Sequence, residues 1–151
     1  MTKINVHRVM SAVDAPFVVF LVGIRINKIW KIHKWLPFLF AMNKISKELQ
    51  CQPDNGFLGQ ESWLGNPFLK VQYWRSYEDL RAYAKDKNNK HFSAWVAYNK
   101  KIGRSGDVGL WHEIYVVQPD SVQTVYTGMP PFGLGKATKL DDLDGNKIKT
   151  L

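Results

Sequence analysis

The run "FVVFLVGIRIN", Phe17 to Asn27, constrains this chain most. In an extended strand, successive side chains alternate between the two faces. Val18, Phe20, Val22, Ile24 and Ile26 then share one face. Phe17, Val19 and Leu21 share the other, ahead of Gly23, Arg25 and Asn27. A strand apolar on both faces must be covered on both, and that demand bears on oligomeric state. The run is too short to cross a bilayer and contains Arg25, so no membrane span is expected. It lacks a small-residue cleavage site, so it does not read as a secretory leader.

With 151 residues the chain is expected to form one domain, 1–151, with a C-terminal arm from about residue 119. Hydrophobic residues make up 45% and charged residues 23%, which is the balance of a globular protein. Cys51 is the one cysteine, so no internal disulfide can form and a reducing, cytoplasmic setting is expected. The net charge of +8 is compatible with nucleic acid, an anionic substrate or a membrane surface, and does not choose among them. Much of it lies in "KIWKIHK" (Lys28 to Lys34) and "KDKNNK" (Lys85 to Lys90), which read as solvated stretches.

After the first strand, Phe38, Met42, Ile45 and Leu49 fall on one helical face, predicting a helix over Pro37 to Gln50 with Pro37 in its first turn. The turn "PDNG" follows, then a hairpin with strands near Phe57 to Leu64 and Phe68 to Trp74. "SYED" starts a helix, with Ser76 as its cap and Leu80, Tyr83 and Ala84 within it. A second helical piece carries His91, Trp95, Tyr98 and Ile102 at helical spacing and ends at Gly103 to Gly106. Val108 to Val117 is the closing strand. The order is β-α-β-β-α-β, a ferredoxin-like α+β sandwich. Beyond Pro119 come a strand-like "VQTVYT", the arm "GMPPFGLG" and a polar tail.

Two histidines stand out. His91 shares a helix face with Trp95 and Tyr98, where it serves either as a hydrogen-bonded core residue or as a pocket residue. His112 shares a strand face with Val108, Leu110, Ile114 and Val116 and is expected to point inward. A cavity bordered by both would keep an imidazole neutral and available as a base or ligand. Glu113, with Trp111 and Tyr115, belongs to the opposite face, which reads as an interface where Arg25 is a possible partner. Phe132, stiffened by Pro130 and Pro131, suits an arm packing on a pocket rim or a second subunit. No metal-ligand spacing, nucleotide-binding loop or nucleophile elbow is present in the sequence.

In order, "VGIRIN", "VQYWRS", "HFSAW", "GDVGLWHEIYVV" and "MPPFGLG" resemble a family long catalogued as a domain of unknown function. It is labelled monooxygenase-like after a fungal member acting in fumagillin biosynthesis. The resemblance runs from about Ala15 to Thr138 and places the chain in the dimeric α+β barrel superfamily. That superfamily includes antibiotic-biosynthesis monooxygenases, haem-degrading monooxygenases and aldoxime dehydratases. It implies a homodimer, with a pocket in each subunit between sheet and helices that takes a small apolar, aromatic or polyketide-like molecule. Under the monooxygenase-like reading, His91 or His112 takes a substrate proton, and Arg25 or Trp111 stabilises or orients the anion. Trp74, Trp95, Tyr98, Asn27, Trp111 and Phe132 are the candidate substrate contacts. Asn27, Trp74 and His91 are similar in type and place to residues serving the haem-degrading sites. The cofactor expectation is therefore none or haem, with haem degradation, aldoxime dehydration or non-catalytic small-molecule binding as alternatives. An RNA-recognition module has the same element order, but its aromatic signature is missing, so no nucleic-acid partner is expected.

Overall fold

The computed structural model describes residues 4–52 and 54–143. Its strands are β1 (Val9–Ala12), β2 (Phe17–Ile26), β3 (Phe57–Trp63), β4 (Phe68–Trp74), β5 (Val108–Val117) and β6 (Lys139–Asp142). Its helices are α1 (Ile32–Cys51), α2 (Tyr77–Lys85), α3 (Lys90–Lys101) and the single turn α4 (Leu134–Ala137). The main sheet is antiparallel in the order β3-β4-β2-β5, so the doubly apolar β2 is central. Helices α1, α2 and α3 cover one face, giving the ferredoxin-like α+β arrangement.

Strand pairing turns the sequence into a grid. On the helix-covered face, Phe68, Ile24 and Leu110 form one row, and Lys70, Val22 and His112 the next. Gln72, Phe20 and Ile114 follow, then Trp74, Val18 and Val116. Val18 and Trp74 pack with Leu49, Leu80 and Tyr83 in one buried cluster, and Ile24 and Phe68 with Met42, Ile102 and Val108 in another. The two clusters lie at opposite ends of the grid. The rows between them hold Lys70, Gln72 and His112.

The opposite face of β2 receives part of its cover from this same chain. Phe17 and Val19 line a shallow groove with Tyr73, Phe132 and Leu134, and Phe132 meets Trp63 edge-on at 6.0 Å. The segment after Pro119 is folded back rather than free. Tyr126 bridges to Val9, and β6 pairs with β1 in a second, two-stranded sheet. That sheet has no counterpart in the sequence reading. Its strands have four residues each and lie far apart in the chain, so neither shows a local pattern long enough to read.

Two local findings differ from the sequence reading. Helix α1 starts at Ile32, so Pro37 lies inside it. Proline has no N–H to offer the His33 carbonyl, and His33 is exposed to water, which can solvate that carbonyl. The "KIWKIHK" stretch is an ion cluster, not a solvated run. Lys28, Lys31 and Lys34 converge on Asp107, whose carboxylate is 2% exposed. The Asp107 carbonyl also accepts the backbone N–H groups of Asn27 and Lys28, so this residue ties the exit of β2 to the entry of β5. Ser76 caps α2 as the sequence indicates, accepting from the Asp79 N–H at 3.1 Å.

Candidate active site

Between the middle rows of the sheet and the three helices lies a cavity of about 330 Å³. Its sheet wall includes Phe20, Val22, Lys70, Gln72, Trp74 and His112. Met42 and Ser46 enter from α1, Arg81 and Tyr83 from α2, and His91, Trp95 and Tyr98 from α3. The structure thus brings together five residues marked in the sequence: His91, His112, Trp74, Trp95 and Tyr98.

His91 is half-buried at the start of α3, its ring 6.0 Å from that of Tyr83. Burial pulls its pKa below the ordinary value of 6.5. The Ala84 carbonyl pulls the other way and nearby His112 adds a smaller lowering. The carbonyl approaches without completing a well-aligned hydrogen bond, since Nδ1 is buried with no partner. The Tyr83 hydroxyl is also buried and unpartnered, and burial holds its pKa well above the usual phenolic range. The Tyr83 ring leans on Trp74 at 5.6 Å. Tyr98 is anchored, its hydroxyl donating to the Val108 carbonyl at 3.0 Å and its ring 5.2 Å from Phe38.

His112 lines the cavity but is exposed rather than enclosed. The reason is topological: β5 is an edge strand, so nothing pairs beyond it. Its ring contact is with Phe20 at 5.9 Å.

Arg25, Asn27, Trp111 and Phe132 lie outside the cavity. Strand alternation puts Arg25 and Trp111 on the face away from the helices. There Trp111 packs so closely over Gly23 that a Cβ would meet its ring at 2.8 Å. Trp111 and Tyr115 both donate to the Glu113 carboxylate, which lowers that group's pKa, so Glu113 is satisfied by its strand neighbours and not by Arg25. Asn27 donates to the Gly106 carbonyl at 3.0 Å and serves the loop. Phe132 belongs to the groove behind the sheet.

The sequence reading missed Lys70, Gln72, Arg81 and Tyr83. Lys70 is 3% exposed, and burial lowers its pKa. It donates to the Ser46 hydroxyl at 2.6 Å and reaches the Asn43 amide oxygen at 3.5 Å. Gln72 accepts from the Trp74 indole and donates to Gln60. Among the described residues, no carboxylate lines the cavity. Among the described residues, no group of three or more His, Cys, Asp or Glu could hold a metal ion, and no helix is long and apolar enough to cross a membrane.

Residues 17–134 match the family described as Monooxygenase af470-like, well over half of the chain. The chain belongs to that family. Membership of a monooxygenase-like family supports a small oxidoreductase-like role. Comparison with curated proteins gives no match. Among solved structures, an aldoxime dehydratase is 16% identical, with a TM-score of 0.68 over 86% of this chain and 42% of its own. SnoaB, a cofactor-independent oxygenase from Streptomyces nogalater, is 13% identical, with a TM-score of 0.49 over 69% of this chain and 95% of its own. At such identities the likeness to the dehydratase shows the fold alone, which this monooxygenase af470-like chain fills with its own set of cavity residues.

Proposed function

We propose that the protein is a small monooxygenase that oxidises an apolar aromatic or polyketide-like molecule inside the cavity. The observation that carries this reading is an aromatic-walled cavity with a half-buried imidazole, His91, and no acid in its lining. A base works best when its pKa lies near the ambient pH and its neutral form dominates, and burial holds the His91 ring neutral there. His91 takes a proton from a ring methylene acidified by a conjugated carbonyl. The carbanion gives an electron to dioxygen and recombines with it, forming a C–O bond. The protonated base returns its proton to the peroxide, and loss of water leaves a carbonyl where the methylene stood. One dioxygen is consumed per methylene, and one of its atoms leaves as water.

Haem is the other cofactor reading, with His91 or His112 as the imidazole that would hold it. A metal-bound imidazole ordinarily donates its second ring N–H to a carboxylate, carbonyl or water that fixes its orientation. On His91 the Ala84 carbonyl is the group at hand, and on His112 it is solvent at the open edge.

The same reading includes a homodimer formed through the outer sheet face and the open edge at β5. Trp111, Tyr115, Leu110, Ile114 and Val116 are exposed there, more apolar surface than one strand normally leaves to water. A second copy would supply the rest of the cover that β2 requires.

Anthrone, a tricyclic ketone with one acidic methylene, tests the chemistry. Under labelled dioxygen the wild type is expected to place label in the new carbonyl. His91→Ala should fold yet lose about 100-fold or more in rate. Unchanged turnover in that variant would remove His91 from the mechanism, and no oxygen uptake with anthrone or related ketones would sink the oxygenase reading.

A further inference from the structure

We propose that Lys70 is the anion-binding group of the cavity, holding one oxyanion on an otherwise apolar substrate. The inference rests on the reading of the cavity as a substrate site and adds the charge that the substrate carries.

An ammonium taken out of water is costly unless a charge or a full set of hydrogen bonds compensates it. Lys70 has neither. Its partners are neutral: the Ser46 hydroxyl, a long contact to Asn43, and the Phe68 ring, 5.6 Å away. The Ser46 proton is already committed to the Met42 carbonyl at 3.0 Å, which leaves the Ser46 oxygen to accept from Lys70 and fixes the direction of that bond. An ammonium has three donors, and Ser46 uses one well. Among the described residues Lys70 makes no ion pair, and no aspartate or glutamate lines the cavity. Arg81 at the rim adds a second positive charge. The cavity is therefore cationic and apolar at once.

A buried lysine that merely filled space would be replaceable by methionine at a gain in stability. Its presence on a floor whose other side chains, Phe20, Val22, Gln72, Trp74 and His112, include no acid calls for a ligand that supplies the missing negative charge. Burial lowers the lysine pKa, and an arriving oxyanion would restore the charged form, so ligand and ammonium stabilise each other. The apolar walls require that the rest of the ligand be apolar and uncharged. The oxyanion comes from either an ionised hydroxyl, phenolic or enolic, or a carboxylate. Arg25 and Trp111, the anion-stabilising candidates from the sequence, cannot serve because they face away.

Naphthalene, 2-naphthol and 2-naphthoate share one ring system and differ in the oxyanion, so fluorescence titration with the three tests the assignment on the full chain. The wild type should bind at least one of the two acidic probes about tenfold or more tighter than naphthalene. Lys70→Met should lose that preference while still binding naphthalene, and Lys70→Arg should keep part of it. If 2-naphthol is the preferred probe, its bound form should show naphtholate absorption at neutral pH, where the free probe is un-ionised. Preference for the naphthol or the naphthoate identifies the source of the charge. Equal affinity for all three, or a preference that survives in Lys70→Met, overturns the role of Lys70 and leaves the cavity reading standing. Failure of the wild type to bind any of the three overturns both. If Lys70→Met does not fold, the wild-type affinity ratio and the Lys70→Arg variant still decide.

Discussion

Lys70 and His112 stand in one row across the sheet, with Val22 paired to Lys70 on one side and to His112 on the other. Their Cα atoms are thus two strand spacings apart, roughly 10 Å. One is enclosed beneath α1 and the other lies at the open edge, so the row runs from the closed to the open side of the cavity. This difference in burial decides what each substitution does to stability.

Replacing Lys70 by methionine should raise stability while removing oxyanion binding, since an apolar side chain of similar length has no desolvation cost there. The pH dependence gives a second signature. Because the folded pKa is lowered from 10.5, the unfolded chain holds this proton more tightly, and stability rises with pH up to about 10.5. Thermal melts across the alkaline range should show that rise in the wild type and a smaller one in Lys70→Met. A variant less stable than the wild type at every pH would contradict this.

His91 acts in the acid range. Its folded pKa is lowered from 6.5, so above 6.5 both states are neutral and nothing is lost. As pH falls below 6.5 the unfolded state takes up the proton first and stability declines. The decline stops once pH is below the folded pKa. His91→Phe should flatten this part of the melting profile. An unchanged slope between pH 7 and 5 would show that His91 does not carry it.

Gly23 is required by Trp111. An alanine Cβ there would sit 2.6 Å from the Phe68 carbonyl oxygen and 2.8 Å from the Trp111 ring. The oxygen belongs to the paired strand and cannot withdraw, so Gly23→Ala should destabilise by about 1–3 kcal/mol, measurable by urea denaturation. A variant as stable as the wild type would mean that the ring and β4 separate freely.

Asp107 holds three lysines at the mouth of β5. The lysine hydrogen bonds keep its carboxyl far below the usual carboxylate range, so its contribution is lost only under strongly acidic conditions. Asp107→Asn would leave Lys28, Lys31 and Lys34 facing one another without a counter-charge. The melting temperature should fall, and added salt should restore part of the loss by screening. A salt-independent effect would point to backbone disruption instead.

The exposed outer face makes the assembly testable. Light scattering should give a dimer mass at micromolar concentration, and Tyr115→Lys combined with Trp111→Glu should shift it to monomer. A wild type that remains monomeric would require another cover for β2.

Local spacing determined much of this protein. Alternation along "GLWHEIYVV" put His112 and Glu113 on opposite faces, helical spacing aligned His91, Trp95 and Tyr98, and Ser76 with Asp79 marked a helix start. These are nearest-neighbour properties of the backbone, legible without knowing what lies across from them. Lys70 was not legible, for a physical reason. In "FLKVQYW" alternation separates Phe68, Lys70, Gln72 and Trp74 from Leu69, Val71 and Tyr73. By polarity alone the Lys–Gln side would be turned to water. Strand pairing decided otherwise: the register with β2 places Lys70 beside Val22 on the side the helices cover. Only the tertiary structure could decide that, since which face of a strand is buried depends on distant elements packing against it. The same holds for Arg25 and Trp111, whose chemistry suited a site from which the sheet turns them away.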